Sequence, residues 1–122
     1  MPWNLNNDRP IYLQIMERIQ KDIVSGVYPP GSRIPSVREL ALEAAVNPNT
    51  MQKALSELER CGLVYSLRTS GRFITEDESL LKQTRMQLAS GHIRDFFHHM
   101  EQLGFTHEEI LEFIKETEGG GK

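Results

Sequence analysis

Two short amphipathic segments with barely a turn between them constrain this chain more than anything else in it. Ile34-Pro35-Ser36-Val37-Arg38-Glu39-Leu40-Ala41 is followed at once by Val46-Asn47-Pro48-Asn49-Thr50-Met51-Gln52-Lys53-Ala54-Leu55. Ser36 and Glu39 have the Ser-x-x-Glu spacing of a capping box, which predicts a helix starting at Val37 and burying Val37, Leu40, Ala41 and Ala44. Asn47 is a good N-cap and Pro48 suits a first helical turn, so a second helix starts there, runs to about Cys61 and stops at Gly62. Its buried stripe is Met51, Ala54, Leu55 and Leu58, which leaves Asn49, Gln52, Lys53 and Ser56 on the open side. Two such helices, the second opening with small polar side chains, have the build of a helix-turn-helix. One helix braces while the next enters a DNA groove by its N-terminal end.

The flanking sequence extends this unit. Ile11, Ile15, Ile19 and Ile23 recur every four residues, with Tyr12 and Met16 widening the stripe, and predict a helix from about Pro10 to Ser25. Pro10 suits the first helical position, Asp8 is placed to help cap it, and Gly26 stops it. Tyr28-Pro29-Pro30-Gly31-Ser32 reads as a loop. Leu63 to Leu67 and Arg72 to Thr75 read as two short strands joined by the turn Arg68-Thr69-Ser70-Gly71, a hairpin that makes the motif a winged one. After the acidic break Glu76-Asp77-Glu78, a long helix covers about Ser79 to Leu103, with Gly91 a weak point costing roughly 1 kcal/mol relative to Ala. Thr106-x-x-Glu109 is a second capping box, opening a last helix to about Glu116, and Gly119 to Lys122 are expected to be disordered. The fold class is mainly α with a small β-hairpin: a winged helix-turn-helix domain over residues 1–75 and a two-helix dimerisation tail over 76–122.

Charge supports a division of labour. The net charge of -3 argues mildly against nucleic acid, but residues 1–75 hold nine Lys and Arg against seven Asp and Glu, while residues 76–122 hold five against ten. The first part is weakly basic and the second acidic. No apolar run approaches the roughly 18 to 20 residues that span a membrane. The N-terminus lacks the basic and apolar regions of a signal peptide, and the single cysteine, Cys61, excludes an internal disulfide and a cysteine-rich zinc site. A cytoplasmic protein is expected.

The chemistry points to DNA rather than to catalysis. The first turn of the second motif helix offers Asn47, Asn49, Thr50 and Gln52 to base edges or phosphates, and its free N–H groups and dipole favour a phosphate. Lys53 adds a cation, while Glu57 and Glu59 lie at the far end. Arg38, with Ala41 and Leu42 three and four residues on, has no acid at helical pairing distance and is expected on a phosphate or base edge; Arg33 is expected on a phosphate. Arg68 and Arg72 flank the hairpin tip, from which an arginine can enter a minor groove. The bland alternatives are a solvated helix face, surface ion pairs and a charged turn. No phosphate-cradling glycine loop, nucleophile elbow or paired acids are present, so no enzyme and no cofactor are expected.

These residues closely resemble the GntR family of bacterial transcription regulators, and its short YtrA-type branch in particular. The resemblance rests on Pro10-Ile11-Tyr12-x-Gln14-Ile15, on Gly31-x-x-Ile34-Pro35-Ser36-x-Arg38-Glu39-Leu40-Ala41, and on Val46-Asn47-Pro48-Asn49-Thr50. Ala54-Leu55-x-x-Leu58-x-x-x-Gly62-Leu63-Val64 completes it, so that it covers roughly residues 9–75. It implies DNA contacts from Arg38, Asn47, Asn49, Thr50 and Gln52, with the wing tip at Arg68 and Thr69. Two departures stand out. Thr69 replaces a glycine common in relatives, and Gln52 replaces an arginine common in other branches, so base preference should differ. The resemblance also implies a repressor of a transporter operon. About 47 residues follow the hairpin, too few for the usual large effector domain, and YtrA-type relatives use such a tail to dimerise.

The tail itself carries two apolar lines. Leu81, Leu88, Phe96 and Leu103 form one; Met86, Ala89, Ile93, Phe97 and Met100 form another; Ile110, Leu111, Phe113 and Ile114 continue in the last helix. Two helices cannot bury both lines alone, so a second copy of the chain is the natural partner, and a two-fold dimer would read a pseudo-palindromic double-stranded operator. Packing back on the winged domain is the alternative. His92, Asp95 and His99 fall on one helix face as a candidate metal cluster, with His98 and His107 near in sequence; surface histidines are the commoner case. A small-molecule effector is a further candidate partner, and Cys61 reads as a small packed residue. The rival of another class is a winged helix that binds protein, which would be insensitive to salt where a DNA binder is not.

Overall fold

The computed structural model describes residues 3–120. Five helices and one hairpin follow in order: α1 (Ile11–Val24), α2 (Val37–Ala44), α3 (Pro48–Arg60), β1 (Val64–Leu67), β2 (Gly71–Ile74), α4 (Glu78–Gln102) and α5 (His107–Gly120). The chain groups into two compact units that meet between Arg85 and Met86, so α4 begins in the first and ends in the second.

The first unit is built around one apolar core. The i, i+4 isoleucine stripe of α1 buries Ile15, Ile19 and Ile23 against Leu40, Ala41 and Ala44 of α2 and Met51, Ala54, Leu55 and Leu58 of α3. Leu63, Val64 and Ile74 close it from the hairpin, and Val37 packs half-buried at its edge. Both expected helix starts are present. Ser36 and Glu39 cap each other reciprocally, and Asn47 caps α3 with Pro48 in its first turn.

The turn between α2 and α3 depends on Ala45 in the left-handed conformation, φ 60° and ψ 48°. Its N–H reaches the carbonyl of Leu42 and that of Val46 reaches Ala41, closing α2 and reversing the chain within two residues. A Cβ makes this conformation costly. Ala45→Gly is therefore expected to stabilise the fold by about 0.5–1 kcal/mol, net of glycine's larger unfolded-state entropy, read as a raised thermal midpoint.

Several local expectations are corrected. Pro10 is the N-cap residue of α1 rather than its first helical residue, and Asp8 does not cap the helix. Gln14 folds back instead: its Nε2 donates to the carbonyls of Asn6 and Arg9 and its Oε1 accepts from Asn6 N–H. That leads Trp3 into the core, where it is buried, donates from Nε1 to Glu43 Oε2 at 3.1 Å, and lies 4.6 Å beneath the Arg18 guanidinium. The loop after α1 is not idle. Ser32 to Ile34 runs beside β2, with Ile34 N–H donating to the Arg72 carbonyl and Ile74 N–H to that of Ser32. The acidic segment before α4 is a cap: Asp77 Oδ1 accepts from Leu80 N–H at 3.1 Å. Cys61 is exposed rather than packed, as the C-cap residue of α3.

Leu80 and Leu81 pack against the core of the first unit, so the compact boundary falls later than the change of sequence character at residue 75. Leu81, expected in an interface between copies, is half-buried against this core. In the second unit, Thr106 and Glu109 form the expected capping box. Phe97 stacks on His107 at 4.9 Å and Phe105 on Phe113 at 5.9 Å, while Ile110 is fully buried. Helix α5 continues past Glu116 to Gly120. Gly119 and Gly120, expected to be disordered, thus belong to it, while Gly121 and Lys122 lie outside the described residues.

Candidate nucleic-acid interface

Helix α3 presents one face to the core and the opposite face outward. With Met51, Ala54, Leu55 and Leu58 buried, the helical period leaves Asn49, Gln52, Lys53 and Ser56 exposed, with Thr50 half-buried at the margin. Asn47 lies at the tip. Its Oδ1 accepts from Asn49 N–H at 2.7 Å, and its carbonyl accepts from Thr50 and Met51 N–H at 3.0 and 3.1 Å. Pro48 has no N–H. The first turn therefore keeps none of these amides free for a phosphate, contrary to expectation, and what it offers is side-chain chemistry and the positive end of the helix dipole.

The polar side chains of α3 are not equally available. Gln52 Nε2 donates to Ser56 Oγ at 3.0 Å, which orders the amide along the helix and leaves its carbonyl oxygen open. The Lys53 ammonium sits 4.0 Å over the ring of Tyr12 in α1, a cation–π contact that directs its charge toward that helix. At the other end the acids are paired. Glu57 accepts from Arg60, and Glu59 Oε1 accepts from Arg72 Nε at 2.6 Å. The carboxylates that would repel a polyanion are thus neutralised within the protein.

Around α3 stand three arginines with no ion pair among the described residues: Arg33, Arg38 and Arg68. Arg38 is exposed in the first turn of α2. Its neighbour Glu39 is held below the usual carboxylate range by the backbone and hydroxyl hydrogen bonds of Ser36, helped by the charge of Arg33. Arg68, Thr69 and Ser70 form the exposed hairpin tip, closed by Ser70 N–H to the Leu67 carbonyl, with Gly71 at φ +104° completing the turn. Arg33 lies across the hairpin: a Cβ built on Gly71 would sit 2.8 Å from its Nε. Arg72 faces inward, only 19% exposed, on Glu59.

The candidate histidine cluster does not form a metal site among the described residues. Among the described residues no three His, Cys, Asp or Glu side chains are grouped to hold a metal ion, including His92, Asp95 and His99. No helix among them is long and apolar enough to cross a membrane.

Residues 11–74 match the family described as "Bacterial regulatory proteins, gntR family". The chain is 36% identical over 117 residues to the HTH-type transcriptional repressor YtrA of Bacillus subtilis, covering 93% of this chain and 90% of that protein. A GntR family transcriptional regulator from Listeria monocytogenes superposes with a TM-score of 0.80 at 37% identity, covering 92% of this chain and 98% of that one. The DNA-binding domain of AraR, solved in complex with operator ORX1, matches at 32% identity with a TM-score of 0.54, covering 62% of this chain and 92% of that domain. With its winged fold, its outward polar α3 face and these relatives, the chain belongs to the gntR family of bacterial regulatory proteins and is a DNA-binding transcriptional regulator.

Proposed function

We propose that the chain is a cytoplasmic homodimeric repressor, without a catalytic step, that reads a pseudo-palindromic double-stranded operator. Residues 1–75 bind DNA. The tail, 76–122, joins two copies, its first two turns bracing the winged unit. Asn47, Asn49, Thr50 and Gln52 face base edges, Arg33 faces a phosphate, Arg38 a phosphate or a base edge, and Arg68 with Thr69 reaches the minor groove. Lys53 adds a cation once released from Tyr12. A transporter operon is the target that the family resemblance of the sequence implies, and a small-molecule effector would act through the tail.

The observation that carries this reading is the pairing pattern. Acids on α3 are matched by arginines, while Arg38 and Arg68 beside it have no ion pair among the described residues. An unpaired exposed arginine has no structural reason to be fixed there, but a phosphate backbone supplies one. The test is selection of genomic fragments by the purified protein, followed by titration at about 50 and 200 mM salt. A specific complex that weakens steeply with salt is expected; no complex at the lower salt would overturn the reading.

A further inference from the structure

Arg72 and Glu59 stand 13 residues apart in the chain and meet through one hydrogen-bonded ion pair of 2.6 Å. Glu59 sits in the last turn of α3, and Arg72 sits in β2 opposite Ser66. The pair is half-buried on both sides, at 19% and 31% exposure. Among the described residues it is the only side-chain hydrogen bond or ion pair between α3 and the hairpin. On the same strand, Arg33 occupies the space a side chain at residue 71 would need. Arg72, one pair below the closing Leu67–Gly71 pair, thus ties the turn half of the hairpin to α3, while residues 68–70 stay exposed.

We infer that Arg72 and Glu59 are positioning residues: their ion pair fixes the angle between the wing and helix α3, so that Arg68 and the Asn47 end of α3 engage one operator together. This rests on the DNA-binding reading above and assigns Arg72 a role other than the direct DNA contact expected of it beside the hairpin tip. The physical reason is leverage. Each strand has four residues and the tip three, so a small rotation at the base moves Arg68 out of reach of a groove fixed by α3. A guanidinium suits such a strut because its planar donors constrain direction as well as distance.

The two roles predict opposite signs. A latent phosphate contact would be freed by removing Glu59, and loss of an acid beside DNA would tighten binding. A strut would be broken, and binding would weaken although an acid has gone. In the full-length protein, Glu59→Ala is expected to weaken the operator complex about 5-fold, and to add less than about 2-fold in an Arg68→Ala background, because both act through the wing tip. The swapped pair Glu59→Arg with Arg72→Glu should bind within about 3-fold of the parent; an acid replacing a phosphate contact could not. Unchanged melting curves separate these effects from loss of fold, and the swapped pair serves if Glu59→Ala alone proves unstable. Tighter or unchanged binding by Glu59→Ala, full additivity with Arg68→Ala, no effect of Arg68→Ala itself, or a swapped pair that fails to bind would each overturn the strut. Absence of any complex with the parent protein at low salt would instead overturn the DNA-binding reading.

Discussion

Replacing Ile93 and Phe96 together by Asp is expected to turn a dimer into a monomer and to weaken binding to a two-half-site operator by about 100-fold or more. Ile93 and Phe96 are 57% and 42% exposed, and Leu103, Phe113 and Ile114 are similarly open at 74%, 47% and 41%. Within residues 86–118 only Ile110 is fully buried. A pair of helices with one buried core residue and this much open apolar surface lacks a core of its own, which a second copy would supply in the proposed dimer. Leu88, Phe97 and Met100, half-buried in the single chain, border that surface. A carboxylate at the centre of such an interface loses its hydration without gaining a partner, which costs several kcal/mol. Because both positions are exposed in one chain, helicity should be retained. Sedimentation should show a monomer, and affinity for an isolated half-site should be unchanged. A dimer persisting in the doubly substituted protein would show that the interface lies elsewhere.

The helix-turn-helix was legible in sequence because its signals are local. Ser36 with Glu39, Asn47 with Pro48, and Gly62 each act within a few residues, and each does in the structure what its chemistry requires. The hairpin was legible for the same reason, through Gly71 and the apolar residues flanking it. What the sequence did not disclose is contact between distant positions. Trp3 reaches Glu43 across 40 residues, and Ser32 to Ile34 add a third run beside β2 after a loop rich in proline. Composition reports the charge of Lys53 and Arg72 but not their partners, Tyr12 and Glu59, which hold them. The capping oxygen of Asn47 already accepts from the Asn49 N–H, which leaves the side-chain amide donors and one lone pair for a base. Ile110 fits an interface by periodicity alone, yet its own chain buries it, and Leu81 is half-buried against the core.

Arg38→Ala is expected to weaken operator binding by about 1–3 kcal/mol while leaving the fold intact. Arg38 occupies the first turn of α2, exposed and without an ion pair among the described residues. The capping box that starts its helix does not use it: Ser36 and Glu39 satisfy each other, and Leu40, Ala41 and Ala44 supply the packing. Removing the guanidinium therefore takes nothing from the core and costs α2 no cap. What it removes is a donor fork on the brace helix, beside the turn that aims α3. Nearby Glu39 does not neutralise that charge, because its carboxylate accepts from the Ser36 N–H at 2.9 Å. Two measurements define the contact. A fall in affinity common to all operator variants, with the salt slope reduced by about one, marks a phosphate partner; a fall confined to one base position marks a base edge. Unchanged affinity in a gel shift would remove Arg38 from the interface and leave Arg33 and Arg68 as the arginines there without an ion pair among the described residues.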